Sequence, residues 1–178
     1  SKILEGYINV DKFDYYKPDI VHDLEITPYP FEENSIDEIF LSHILEHIGQ
    51  DPNIFNNIIK ELYRICKNKS VIYIRVPHPR HDDFISDPTH VRPITILGLQ
   101  LYDKELNEKW EKGGFANSPL ALIHNVNFKV LNVVYVVDDK YKKLLNEKQI
   151  TEAEVNEFML KYNNVIKETQ IEWSVIKD

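Results

Sequence analysis

One cysteine, Cys66, stands in 178 residues, so no internal disulfide can form and a reducing cytoplasm is the expected setting. Glycine is scarce, at five residues, and no glycine-rich turn occurs anywhere ahead of Asp11. Basic residues are outnumbered, 21 Lys and Arg against 29 Asp and Glu, for a net charge of −8. Affinity for a phosphate backbone comes largely from clustered cations, so nucleic acid is not an expected partner. No apolar run approaches the roughly 20 residues that span a bilayer, and no basic and apolar pair opens the chain as a signal peptide, so no membrane partner is expected either. Repeats and low-complexity segments are missing as well. What is present is ordinary globular composition, 43% hydrophobic and 11% aromatic, over a length suited to one domain, residues 1–178, that buries roughly 70% of its unfolded surface. Nothing in the composition speaks to oligomeric state.

The densest stretch is SIDEIFLSHILEHI, Ser35 to Ile48. Ile39, Phe40 and Leu41 make a short apolar run suited to a strand buried on both faces. The period then becomes helical, with Ile44, Leu45 and Ile48 on one face and Glu46 and His47 off it. A strand feeding a helix is half of a βαβ unit, and ligands in open α/β sheets bind beyond the carboxyl ends of the strands. Ser42, His43, Glu46 and His47 therefore lie where chemistry is expected. His43 and His47 sit four apart, and HILEH reads His-x-x-Glu-His, the order of an inverted zinc-protease class; the strand-helix context fits that class poorly.

In chain order, Ile3–Gly6 is expected as a loop, Tyr7–Val10 as a strand ending at Asp11, and Asp19–Leu24 as a second strand carrying Asp23 at its end. Pro28 and Pro30 forbid regular structure around Tyr29. Asp51 before Pro52 is an N-cap followed by proline at the first helical position, and Phe55, Ile58, Ile59, Leu62 and Cys66 share a face of a helix ending near Asn68. Val71–Val76 is the next strand. Beyond it, Ile94–Trp110 is expected as a helix, Pro119–His124 as a short helix and Phe128–Val137 as the strongest strand. Thr151 with Glu154 forms a capping box for a helix through Phe158, Met159 and Tyr162, and Glu168–Ile176 is a closing strand. The alternation predicts an α/β, Rossmann-like, doubly wound and mostly parallel sheet with an antiparallel edge strand.

Between those elements lies Pro77–Pro93, PHPRHDDFISDPTHVRP, a long loop of the kind that is usually functional in compact domains. Arg80 and Arg92 are candidates for gripping an anionic group of a substrate in a fork of donors, with His90 beside them. His43, His47 and His81 are candidates for proton transfer, since histidine titrates near 6.5. A second reading takes His78, His81, Asp83 and His90 as metal ligands, with His81-x-Asp83 as part of an iron facial triad completed by His90 or His124. Such oxygenases usually sit in β-barrels, which this alternation does not support, so no metal is assigned from the sequence.

The ordered series GYINVD, DIVHDL, PYPFEENSIDEIFLSHILEHI, ELYRICKN and VPHP resembles the class I S-adenosylmethionine-dependent methyltransferases, specifically the compact group related to the type 11 domain. The resemblance covers Gly6 to about Pro79, and Phe128–Asp178 as the family's closing hairpin. It implies S-adenosyl-L-methionine as cofactor and a small-molecule or sugar-like acceptor. By the same resemblance Asp11 bonds the ribose hydroxyls, Asp23 and Leu24 contact adenine, and Ser42 and His43 face the methionine portion and the acceptor. Tyr15, Tyr16 and Tyr29 lie near that end, one of them a candidate to stack on adenine. The family's first strand and glycine-rich turn have no counterpart ahead of Asp11. That strand is central in the family's sheet, so the leading strands are expected to be separated from the strand at Ile39–Leu41. A non-catalytic binding module of the same fold is the competing class.

Overall fold

Asp51 and Pro52 behave as their chemistry dictates. In the computed structural model, which describes residues 4–177, the Asp51 carboxylate accepts from Asn53 N at 2.7 Å and Pro52 opens the helix α1 (Pro52–Ile65), where a missing N–H goes unneeded. Its buried face is Phe55, Ile58, Ile59, Leu62 and Ile65. The expected loop at Ile3–Gly6 falls partly outside the described residues.

Two short strands, β1 (Val10–Asp11) and β2 (Ile20–Val21), pair in parallel as a sheet of their own. Four longer ones, β3 (Ile36–Ser42), β4 (Cys66–Pro77), β5 (Phe128–Val137) and β6 (Ile166–Val175), form a second sheet in the order β3-β4-β6-β5. The leading strands are thus separate from β3, as expected. β3 and β4 are parallel, while β6 is antiparallel to both β4 and β5. Three strands share a direction and one opposes them, which is the mixed α/β class expected. The antiparallel strand lies one place in from the edge, because β6 returns against β5 and also completes the free side of β4.

The period of two sets what is buried. Ile72 and Ile74 of β4 stand opposite Trp173 and Ile171 of β6, and Phe128 of β5 stacks on Trp173 with centroids 3.9 Å apart. With the apolar face of α1 these side chains form one core, each of the large ones contributing about 1.5–3 kcal/mol by burial. Between β5 and β6 the chain makes α6 (Asp139–Asn146) and α7 (Glu152–Lys161), which cover a smaller cluster at Val155, Val165 and Ile166. The capping box of Thr151 and Glu154 is present.

Several boundaries differ from expectation for physical reasons. Ile44–Ile48 is one turn, closed by His47 N donating to Ile44 O at 3.0 Å, because Gly49 takes a left-handed φ of +67° and Asp51 starts a new helix. The loop at 77–93 holds one helical turn, α2 (Asp82–Ile85). The helix expected over Ile94–Trp110 is broken into α3 (Ile96–Gln100) and α4 (Lys104–Lys112). Asp103 N-caps the second piece, and the break lets Tyr102 O accept from Phe128 N at 2.9 Å. α5 (Leu120–His124) is as expected. The second strand is shorter than Asp19–Leu24, and α6 had no counterpart in the sequence reading.

Candidate functional site

At the carboxyl end of β3 the backbone turns sharply. His43 sits at φ +54° and its N–H still donates to Arg75 O at 2.8 Å, so the ring stands at the mouth of the parallel pair of β3 and β4. Its Nε2 donates to Glu168 Oε2 at 3.1 Å and its Nδ1 lies 3.3 Å from Glu46 Oε1. Glu46, opposed by desolvation and joined by Glu168, holds the pKa of His43 above its ordinary value. The two carboxylates thus favour the protonated form of His43.

The turn that replaces the expected helix points Glu46 inward. Its side chain is fully buried, and neither carboxylate oxygen has a hydrogen-bond partner. The main chain of the same residue holds the histidine loop: Val91 N donates to Glu46 O at 2.8 Å, and Arg92 N donates to the same oxygen. These bonds bring His90 beside His47, with ring centroids 4.5 Å apart.

Both rings have a defined tautomer when neutral. His90 Nδ1 faces Phe84 O at 2.7 Å, and a carbonyl can only accept, so Nδ1 carries the hydrogen. His47 Nδ1 lies 2.9 Å from Thr89 Oγ1, whose own hydroxyl donates to Asp87 Oδ1 at 2.6 Å; Nδ1 of His47 is therefore also the donor. Nε2 is the free lone pair on each ring. Asp87 is kept ionised, its pKa lowered chiefly by the Thr89 hydroxyl and N–H. Among the described residues, Glu46, His47 and His90 are a group in which one ligand atom from each lies within 4.8 Å of the others.

His43, His47 and His90 line a cleft of about 430 Å³ that also reaches Asp83, Asp87, Lys167 and Glu168, with Glu46 buried behind it. A second cleft, about 650 Å³, lies beside it against Glu25, Gln50 and the start of α1, and His47 borders both.

The structure brings together only some of the residues singled out from the sequence. His43, His47 and His90 share the first cleft, and Ser42 precedes them as an exposed strand end. Asp11 closes β1, with Oδ1 accepting from Phe13 N at 2.9 Å and no hydrogen bond to Oδ2 among the described residues. Asp23 and Leu24 fall in the turn after β2, where Asp23 Oδ1 accepts from Glu25 N and Leu24 O accepts from the Tyr29 hydroxyl. Tyr29 is core, 4% exposed, so of the three tyrosines only Tyr15 and Tyr16 present open faces.

Three residues are elsewhere. His81 does not line the cleft: it is buried, N-caps α2 by accepting from Asp83 N at 3.1 Å, and reaches Asp138 at 3.3 Å. Arg80 is spent on the end of α7, donating to Met159 O at 3.0 Å and to Asn163 Oδ1 at 3.2 Å. Arg92 donates to Gly49 O and covers the Phe55 ring at 3.9 Å. Both guanidiniums are turned toward backbone carbonyls left open at the turn and the helix end, while Arg92 Nε is buried without a hydrogen-bond partner among the described residues. The sequence reading missed Asp87, Thr89 and Glu168. The run Asp87-Pro88-Thr89 carried a readable turn signal; Glu168, inside a strand, carried none.

The sequence profile of the family described as Methyltransferase domain matches residues 7–74. No curated protein sequence matches the chain. Among solved structures, a SAM-dependent methyltransferase from Archaeoglobus fulgidus is 18% identical, aligns over 93% of this chain and 74% of its own, and superposes with a TM-score of 0.55. A SAM-dependent methyltransferase from Methanosarcina mazei is 12% identical over 89% and 66%, with a TM-score of 0.47. Phosphoethanolamine N-methyltransferase 2 of Haemonchus contortus, in complex with S-adenosyl-L-methionine, is 16% identical over 84% and 35%, with a TM-score of 0.41.

Proposed function

We propose that this chain is a class I S-adenosylmethionine-dependent methyltransferase, a reading supported by the match of residues 7–74 to the methyltransferase-domain family and by the shared fold, and that it moves a methyl group onto a small polar acceptor held in the cleft beyond β3 and β4. The observation that carries the reading is the convergence of His43, Glu46, His47 and His90 at the carboxyl end of the parallel pair, where open α/β sheets bind their ligands. Asp11 also suits the cofactor, since it ends β1 with one carboxylate oxygen that has no hydrogen bond among the described residues. That oxygen suits a vicinal diol, for which charge-assisted hydrogen bonds are stronger than neutral ones. Asp23 and Leu24, after β2, and Ser42, at the end of β3, are the residues we propose for the adenine and methionine portions.

When bound, S-adenosylmethionine supplies an activated methyl group, so the protein's task is placement. His43, its protonated form favoured by Glu46 and Glu168, orients a polar group of the acceptor. His47 and His90 turn their Nε2 lone pairs to the cleft, within reach of a proton leaving the acceptor. The cleft lining mixes the carboxylates of Asp83, Asp87 and Glu168 with Lys167 and the histidines, a set of donors and acceptors that suits a neutral, hydroxyl-bearing or sugar-like acceptor. Among the described residues no helix is long and apolar enough to cross a membrane, and we place the reaction in the cytoplasm on the strength of the lone cysteine.

Calorimetric titration with S-adenosylhomocysteine tests the reading. Asp11→Ala is expected to weaken binding by about 1.5–3 kcal/mol, the worth of hydrogen bonds to a charged group, or roughly 10- to 150-fold. Asp11→Asn keeps the Phe13 turn and separates charge from local structure. Absence of binding by the unsubstituted chain would sink the proposal, and an unchanged Kd in both variants would remove Asp11 from the site.

A further inference from the structure

We propose that Glu46, His47 and His90 form a binding site for one divalent transition ion of the zinc class, set in the floor of the acceptor cleft with an open position toward it. Three independent features support the site. The first is proximity, one ligand atom of each residue lying within 4.8 Å of the other two, so that modest side-chain rotations bring them to the roughly 3.4 Å ligand spacing of a tetrahedral ion with bonds of about 2.0–2.2 Å. The second is Glu46 itself, fully buried with both carboxylate oxygens lacking hydrogen bonds. A buried carboxylate in that condition is costly unless something positive meets it. His43 approaches one oxygen, at 3.3 Å, and the other faces no donor.

The third feature is the arrangement behind the rings. Metal-bound histidines almost always donate their second N–H to a carbonyl or a carboxylate-linked group, which fixes the tautomer and aims the free nitrogen. His90 does so to Phe84 O at 2.7 Å, and His47 does so to Thr89, which is anchored on Asp87. The pair is oriented as ligands are, before any ion is present. Two imidazoles and one carboxylate make a harder donor set than thiolates, suited to zinc and its first-row neighbours. With three protein ligands the fourth position stays open, and it faces the cleft lined by His43, Asp87 and Glu168. Asp87 Oδ2, 3.8 Å from His90 Nε2, lies beside that position.

This inference rests on the cleft being the acceptor site and deepens the account of it. An acceptor hydroxyl bound at the open position would be acidified by the ion, so His47 and His90 would hold the ion instead of taking the proton.

Titration of the EDTA-stripped, full chain with zinc chloride, in competition with a chromophoric chelator and without S-adenosylmethionine, reads the site apart from cofactor binding. One ion per chain is expected, with a rise in Tm on loading. Glu46→Gln and His90→Ala should each weaken the binding 10-fold or more, while His124→Ala leaves it unchanged. Cobalt loading adds a visible spectrum that disappears in the same two variants. No stoichiometric binding by the unsubstituted chain overturns the proposal whatever the variants do, and so does binding that survives both substitutions. If S-adenosylhomocysteine fails to bind while zinc binds as described, the methyltransferase reading fails and the metal site stands.

Discussion

Replacing Gly49 with alanine should be among the most damaging small changes available in this chain. Gly49 has φ +67°, and a Cβ there would lie 2.7 Å from Phe55 Cβ and 2.8 Å from Phe55 Cα. The left-handed backbone alone costs an L-residue about 1–2 kcal/mol. The collision is with the first helical turn of α1, so it cannot be relieved by a rotamer, and overpacking of that kind costs about 1–3 kcal/mol. Stiffening of the unfolded chain returns about 0.4–1 kcal/mol. The net loss is roughly 1.5–4 kcal/mol, and for a chain of this size each kcal/mol lowers Tm by about 2–4 °C. Gly114 provides the control, because its φ is +71° with nothing within 4 Å of the added Cβ; Gly114→Ala carries the backbone cost without the collision. Chemical denaturation of the two variants beside the parent checks this. Equal destabilisation of Gly49→Ala and Gly114→Ala would refute the steric argument. Gly49 also donates to Glu25 Oε1 at 2.6 Å and accepts from Arg92, so its displacement should loosen both clefts and raise the Kd for S-adenosylhomocysteine.

Arg80→Ala should lower stability by about 1–3 kcal/mol, through the carbonyls left at the end of α7, and leave the KM for an acceptor unchanged; a large KM effect would return Arg80 to the substrate. Glu61 has its pKa lowered by the Arg64 guanidinium and by the Tyr29 N–H, and its contribution is therefore present above its ordinary value near 4.5 and lost as pH falls through the lower folded value. Glu61→Gln should accordingly flatten the fall in unfolding free energy below pH 4.5, and an unaltered slope would show that the pair adds nothing. Burial pushes the Cys66 thiol up to about 12, so a thiol-specific reagent at pH 8 should label it at the rate of unfolding. Prompt labelling of the native chain would contradict that burial.

Much of the frame was legible because its signals are local. Asp51 with Pro52, the capping box of Thr151 and Glu154, and the alternation of Phe128–Val137 each specify structure within a few residues, and the structure contains all three. The loop arginines show the opposite case. Arg80 and Arg92 look like anion ligands in a proline-rich loop until distant carbonyls at Met159 and Gly49 are brought to them. A side chain's partner across the fold leaves no mark beside it in the sequence.

The chain's own order of residues determined its α/β class, its resemblance to a methyltransferase, and the placing of Asp11, Ser42, His43 and His47 at strand ends. Tertiary structure decided which of the histidines work together. His81 was drawn to Asp138 and the cap of α2, while His90 was delivered to His47 by the backbone bonds from Val91 and Arg92 to Glu46. Glu46 became a buried, unpartnered carboxylate only because the helix expected at Ile44 closed as one turn before Gly49. Periodicity reports which face of an element is apolar, but the approach of two segments is set by packing and by backbone bonds that no short window of sequence contains.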